Sequence, residues 1–366
     1  MGFIYSGCGK SDGYSISGTL NSYNFIYFGS YGSSTISQYH ITADGATVLV
    51  GNTISTGVGT SSINSLTSSP DGKFLYVANT STNNVSWYSI ASLATPDEGT
   101  ITYADKGVAQ GTGATAVKIY SNGNFGYITN STSISNNITF GTINKTTGFM
   151  TVANDIFYTA RTNPTQLVIS PDSRFLFVVN RGTSDISSFG INSTTGSLST
   201  INLSTPAGTN PEDLVVHPNG NFLYTLSTGS NSIVMHSISS SGVLAALAPA
   251  TIATGAVPKK IAITANGKFV FVTNNTGNSI SAYSVNTTGL LTEISGSPFL
   301  AAAGAGAYAL AVTPDNKYLI VTGDTNGKGY IYAINSSSGA LTLVGTELTL
   351  GANPRSVTVV TLTAIE

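Results

Sequence analysis

Seven times along this chain an aromatic residue opens an apolar run, a polar loop follows, and a second, alternating run ends in a Gly-containing turn. The apolar runs begin at Phe25, Phe74, Phe125, Phe175, Phe222, Phe269 and Tyr318, at spacings of 49, 51, 50, 47, 47 and 49 residues. A period near fifty built from short strands predicts small sheets repeated around an axis.

Residues 164–203 give one copy in full. Pro164-Thr165-Gln166-Leu167-Val168-Ile169 leads into the turn Ser170-Pro171-Asp172-Ser173 and the strand Phe175-Leu176-Phe177-Val178-Val179-Asn180. A polar loop, a third strand Ile186 to Ile191, the turn Asn192 to Gly196 and a fourth strand Leu198 to Leu203 complete it. Pro presets φ and Gly supplies positive φ in such turns, so the unit is a four-stranded antiparallel meander. The second strand is apolar at almost every position, as in Phe74-Leu75-Tyr76-Val77-Ala78, which means that both of its faces are covered. Tyr39, Tyr88, Phe189, Tyr283 and Tyr332 mark the third strands and suit packing between neighbouring sheets.

The chain ends predict how the ring closes. First strands start eleven residues before the aromatic lead at six junctions, and a seventh, Asn353-Pro354-Arg355-Ser356-Val357-Thr358-Val359-Val360, stands at the C-terminus with no second strand after it. The copy at Phe25 lacks a first strand of its own. Residues 353–360 should therefore join the N-terminal sheet, leaving no open edge. The expected fold is all-β: a seven-bladed β-propeller of four-stranded antiparallel blades over residues 21–366, preceded by a tail or tether over residues 1–20.

The motifs Ser69-Pro70-Asp71-Gly72-Lys73-Phe74-Leu75-Tyr76-Val77-Ala78-Asn79 and Lys268-Phe269-Val270-Phe271-Val272-Thr273-Asn274 resemble the YVTN β-propeller repeat. That superfamily includes seven-bladed propellers of the lactonase type and microbial surface proteins. A lactonase of this type is expected, by the resemblance, to carry Pro-Arg-His at the start of some first strands and Asn-Glu after a second strand. Here the triplets are Pro164-Thr165-Gln166, Pro211-Glu212-Asp213, Pro258-Lys259-Lys260 and Pro354-Arg355-Ser356, and the second strands end in Asn79-Thr80, Asn130-Ser131, Asn180-Arg181 and Asn274-Asn275. The departures fall where the family's chemistry would lie.

Charge narrows the possible partners. Only 8% of residues are charged, against about 25% in ordinary soluble proteins, and the formal net charge is -2. The scattered Lys and Arg residues form no basic stripe, which argues against nucleic acid as a partner. No apolar stretch approaches the roughly 18 residues of a membrane-spanning helix. Cys8, the single cysteine, lies in Ile4-Tyr5-Ser6-Gly7-Cys8-Gly9-Lys10; this resembles a bacterial lipoprotein box and makes Cys8 a lipidation candidate, an inert tail cysteine being the alternative.

Candidate chemistry gathers at one rim. First-strand starts and the loops after second strands share one face of a propeller, so Gln166, Arg181, Glu212, Asp213, Lys259, Lys260, Asp324 and Arg355 should ring the channel mouth as a binding surface for a polar ligand or a protein loop. The alternative is that they are solvated loop charges. His217 reads as a turn cap, His236 as a packed ring and His40 as solvated. Asn79, Asn130, Asn180 and Asn274 read as bonding loop backbone. Asp324-Thr325-Asn326-Gly327-Lys328-Gly329 imitates a calcium loop, but Lys328 occupies a ligand position, so a tight turn is expected. No metal or cofactor motif is present.

These features favour a non-enzymatic, extracytoplasmic binding or structural scaffold with a protein or polysaccharide partner at a cell surface, assembled or homo-oligomeric. A lactonase-like hydrolase of the 6-phosphogluconolactonase type with a diverged site, or a small-ligand sensor using the channel, are the alternatives.

Overall fold

A computed structural model describes residues 20–56, 63–93, 97–108, 111–133, 137–301 and 304–365. Cys8 and most of the expected tail lie outside them. The described residues form seven antiparallel sheets and no helix. Each sheet is a blade of the predicted meander, numbered here one to seven from the copy at Phe25. In blades one and six the outer strand is split, into Thr47–Leu49 with Ile54–Ser55 and Leu291–Glu293 with Phe299–Leu300. Pro298 in the second break lacks an N–H to continue the ladder.

The predicted seam is present and longer than expected. Pro354–Ile365 is the inner strand of blade one, and it pairs with Leu20–Ser30 from Leu20↔Ile365 through Phe25↔Val360 to Ser30↔Pro354. The two chain ends thus close the ring by backbone hydrogen bonds, with Thr361 Oγ1 donating to Asn24 Oδ1 at 2.6 Å.

Two sets of contacts join blade to blade. At the face opposite the mouth, the aromatic lead of each blade lies over a positive-φ glycine in the strand three-to-four turn of the next. Phe74 covers Gly148, Phe125 covers Gly196, Phe175 covers Gly242 and Phe269 covers Gly339; Phe25 on Gly99 and Phe222 on Gly289 repeat the contact, and Tyr318 on Gly45 carries it across the seam. A Cβ at Gly148 would stand 2.5 Å from the Phe74 ring. Four buried tyrosines reinforce the same turns: Tyr27, Tyr76, Tyr127 and Tyr224 donate their hydroxyls to the carbonyls of Gly99, Gly148, Gly196 and Gly289. At the mouth, threonine hydroxyls reach the next inner strand, Thr80 to Ala114 O, Thr115 to Pro164 O, Thr165 to Glu212 O, Thr228 to Pro258 O, Thr273 to Tyr308 O and Thr322 to Pro354 O.

The third-strand aromatics sit between blades as expected, Tyr39 and Tyr283 donating to Thr349 O and Ala253 O of the preceding blade. His236 takes the same place in blade five, 2% exposed and bonded to the Pro206 carbonyl. His217 caps its turn, Nδ1 accepting from the Asn219 N–H and Nε2 facing Gly267 O at 3.1 Å. His40 is corrected from solvated to half-buried, its ring 5.2 Å from Phe25 and 5.8 Å from Tyr23. The strand-two asparagines also differ from expectation. Their amides mainly donate across the blade to third-strand side chains: Asn79 to Asn84 and Ser86, Asn130 to Thr139, Asn180 to Asp185 and Ser187, Asn274 to Ser279 and Ser281. Buried side chains need such partners, and the neighbouring strand supplies them sooner than the loop.

Two predictions follow from this packing. Gly148→Ala should destabilise the protein by roughly 3 kcal/mol, because it adds positive-φ strain to a clash with Phe74. In denaturant titrations Phe74→Leu should recover part of that loss, and strict additivity of the two changes would refute the contact. Burial depresses the pKa of His236 below its ordinary 6.5. The unfolded chain then binds the proton more readily, so this contribution is intact above about pH 6.5 and is lost as pH falls through the folded value. Denaturation midpoints measured from pH 8 to 5 should show a smaller acid-side decline in His236→Phe than in the wild type.

Candidate functional site

The mouth is shaped by a bulge repeated in every blade. Pairing of the inner with the second strand skips at its second residue: between Ile63 and Ser65, Ala114 and Ala116, Pro164 and Gln166, Pro211 and Asp213, Pro258 and Lys260, and Pro354 and Ser356, with a longer skip from Ala307 to Leu310. A bulge leaves the extra residue out of the ladder and re-aims its side chain. The skipped residues Glu212, Lys259, Tyr308 and Arg355 stand at the mouth, and Gln166, Asp213 and Lys260 lie one step deeper. Inner strands of all seven blades line a central cavity of about 270 Å³.

Arg355 is the most constrained charge at the mouth. Its Nε donates to Asp324 Oδ1 at 2.9 Å and its Nη2 to Asp324 Oδ2 at 3.4 Å, while the guanidinium lies 4.7 Å from the centre of the Tyr31 ring and 5.1 Å from that of Tyr308. A planar guanidinium suits both the two-point pairing and the aromatic faces. Although burial opposes its charge, Asp324 and the two tyrosines hold the Arg355 pKa above its usual value. With both Asp324 oxygens engaged by Arg355, the segment is an arginine clamp with a turn at Gly327, φ 67°, in place of a calcium loop.

Around this pair the other predicted residues assemble. Arg181 Nη1 lies 3.3 Å from Glu212 Oε2, and that buried oxygen accepts no hydrogen bond among the described residues. Lys259 Nζ stands 5.7 Å from the Tyr308 ring centre. Tyr308 is the hub: burial raises its phenol pKa well above the ordinary value, and Glu212, Arg355, Asp324 and Arg181 all act on it electrostatically. Deeper in the cavity Asp213, 5% exposed, accepts from the Ile261 N–H at 3.1 Å and lies 3.9 Å from Lys260 Nζ. Burial raises its carboxyl pKa, against the opposing pull of Lys260, Ile261 and Lys118. Gln166 is buried beside them, its Oε1 accepting from the Leu167 N–H.

All eight residues expected at the rim thus belong to one mouth and throat, and most are paired with each other rather than solvated singly. Three further members escaped the sequence reading. Tyr308 occupies the skipped position in Ala307-Tyr308-Ala309, but that copy lacks the leading Pro that drew attention to the others. Lys118 lines the cavity from Ala114–Ile119, and its signal was a lone charge in an otherwise apolar inner strand. Tyr31 comes to Arg355 only through ring closure. Among the described residues no group of three or more His, Cys, Asp or Glu is placed to hold a metal ion.

Solved structures of the same architecture match over nearly their whole length. A putative 6-phosphogluconolactonase from Bacteroides fragilis aligns with a TM-score of 0.78 at 20% identity, over 95% of this chain and 100% of that one. The periplasmic gluconolactonase PpgL of Pseudomonas aeruginosa aligns with a TM-score of 0.75 at 18% identity, over 93% and 99%. Hydrazine synthase of Kuenenia stuttgartiensis, at TM-score 0.63 and 18% identity over 84% and 92%, shows the same fold under another name. No curated protein matches the sequence. The family described as "Lactonase, 7-bladed beta-propeller" matches residues 93–211 and 204–304, more than half of the chain. This match and the lactonase-named neighbours overturn the expectation of a non-enzymatic scaffold, which had rested on the absence of Pro-Arg-His and Asn-Glu motifs, the charge-poor Ser, Thr and Asn surface and the lipidation candidate Cys8. The chain belongs to the seven-bladed β-propeller lactonase family.

Proposed function

We propose that the protein is a lactone hydrolase working at the channel mouth, with a catalytic set that differs from the family pattern expected from sequence. The observation that carries this reading is the convergence of Glu212, Arg355 and Tyr308 at the mouth, where Arg355 also lines a cavity of about 270 Å³, a size suited to a single sugar-like ring. Family membership supplies the reaction class. Polar groups from several blades, Asn64, Ser65, Gln166 and Ser356 among them, interrupt an otherwise largely aliphatic lining and suit a hydroxylated lactone, in keeping with the sugar lactonases that two structural neighbours are named for.

In this reading a water attacks the lactone carbonyl carbon and gives its proton to the Glu212 carboxylate, which Arg181 holds in place at 3.3 Å from Oε2. Negative charge develops on the carbonyl oxygen, and the clamped Arg355 guanidinium stabilises it without having to reorganise. The ring C–O bond then breaks, Glu212 returns the proton to the leaving oxygen, and a hydroxy acid is released. Tyr308 and Tyr31 hold the guanidinium plane; Asp324 fixes its direction.

The test is hydrolysis of a panel comprising gluconolactone, 6-phosphogluconolactone and an acyl lactone, with the spontaneous rate subtracted. Turnover of a sugar lactone is expected. Arg355→Ala should lower kcat/KM about 100-fold, and Glu212→Gln should lower kcat about 100-fold with little change in KM. No turnover of any lactone, or full activity in both variants, would overturn the proposal.

We also propose that the protein acts outside the cytoplasm. The charge-poor Ser, Thr and Asn surface and the lipoprotein-like surroundings of Cys8 support that placement, and the YVTN-like motifs at Ser69 to Asn79 and Lys268 to Asn274 support a finer kinship with propellers of that repeat type. Fractionation of the native cell tests it, and recovery only from cytoplasm would reject it.

A further inference from the structure

The mechanism above uses the mouth and leaves the throat unexplained. Lys118 and Lys260 line the cavity with Asp213 and Gln166. Lys260 has Asp213 at 3.9 Å and Gln166 spends its Oε1 on backbone. Lys118 is partly buried and lines the cavity without a hydrogen bond or ion pair among the described residues, and burial holds its pKa below the ordinary value. It feels Asp213 as an attraction and Lys260 as a repulsion. Two lysines therefore face one carboxylate across a partly enclosed cavity, and that carboxylate is itself occupied by the Ile261 N–H. An excess of positive charge in such a partly desolvated space gives an entering oxyanion a charge-assisted partner.

We propose that the throat is an anion subsite in which Lys118 and Lys260 together hold one compact oxyanion, a carboxylate or phosphate-sized group. Asp213 sits between the lysines as a counter-charge that keeps the empty site tolerable and limits how tightly the anion is held. The identification of that anion as a substituent or product carboxylate of the molecule bound at the mouth rests on the lactone-hydrolase reading; the subsite itself does not. Arg355 lines the same cavity, but its charge is already spoken for by Asp324.

Inorganic phosphate and acetate are the probes, titrated into the full chain by calorimetry and by their effect on thermal unfolding. Saturable binding is expected in the wild type, weakened about tenfold or more in Lys118→Met and in Lys260→Met, since a charge-assisted contact is lost in each. Asp213→Asn should tighten binding several-fold by removing the competing charge, a response that simple structural damage would not give. Lys145→Met, away from the channel, serves as the control. Binding that survives Lys118→Met, or that is abolished by Arg355→Met alone, would overturn the proposal. Absence of saturable anion binding in the wild type with lactone turnover intact rejects the subsite only, and anion binding without turnover of any lactone rejects the hydrolase reading only.

Discussion

Each blade rests its leading aromatic ring on a glycine of the next, and the rest of the molecule depends on that contact. The ring fills the place where a Cβ would stand, at turns whose positive φ already favours glycine. Because the contact recurs at all seven junctions, Tyr318 on Gly45 included, it fixes the spacing of blades around the whole circle. The tyrosine hydroxyls that reach the same turns then satisfy glycine carbonyls at four junctions. Wedge shape follows: the blades are locked at one face, and their inner strands converge on a narrow channel.

That locking frees the opposite face to vary. Threonine hydroxyls tie neighbouring inner strands together at the mouth, so the backbone there does not rely on the side chains that face the axis. The bulge removes one residue per blade from the ladder, and its identity carries no pairing constraint. Asn64, Glu212, Lys259, Tyr308 and Arg355 can accordingly differ from blade to blade within one repeated fold, whereas at Thr115 and Thr165 the skipped residue is itself one of the tying threonines. A chain with only 8% charged residues collects several of them where they face one another at short range.

The same logic explains what could be read from sequence. Phe74 and its six counterparts announce the repeat because the latch demands an aromatic there, and Pro354 to Val360 announced the seam because a first strand stood without its blade. The eight rim residues were legible as exceptions at aligned positions. Tyr31 was not, since its contact with Arg355 joins opposite ends of the chain. The asparagines at Asn79 and Asn274 were misassigned because local turn chemistry and cross-strand bonding use the same side chain, and only burial decides between them. Function was misread for a related reason: the absence of a familiar triplet says little when the ring can supply an acid, a guanidinium and a phenol from different blades.

The pairing of charges at the mouth bears on the chemistry. Glu212 meets Arg181 and Tyr308, Arg355 meets Asp324, and Lys260 meets Asp213, so most charges arrive already opposed. Opposed charges in fixed frames do not reorganise when a ligand enters, which is the property that electrostatic stabilisation of a tetrahedral intermediate requires. Arginine at position 355 adds geometry that lysine lacks, because its plane is set jointly by Asp324 and by two aromatic faces. Lys118 is the exception, a cation at the throat without its own counter-charge. A site that is neutralised at its entrance and left positive at its depth is what the proposed reading needs, since the ligand it proposes is polar in the ring and anionic at one end.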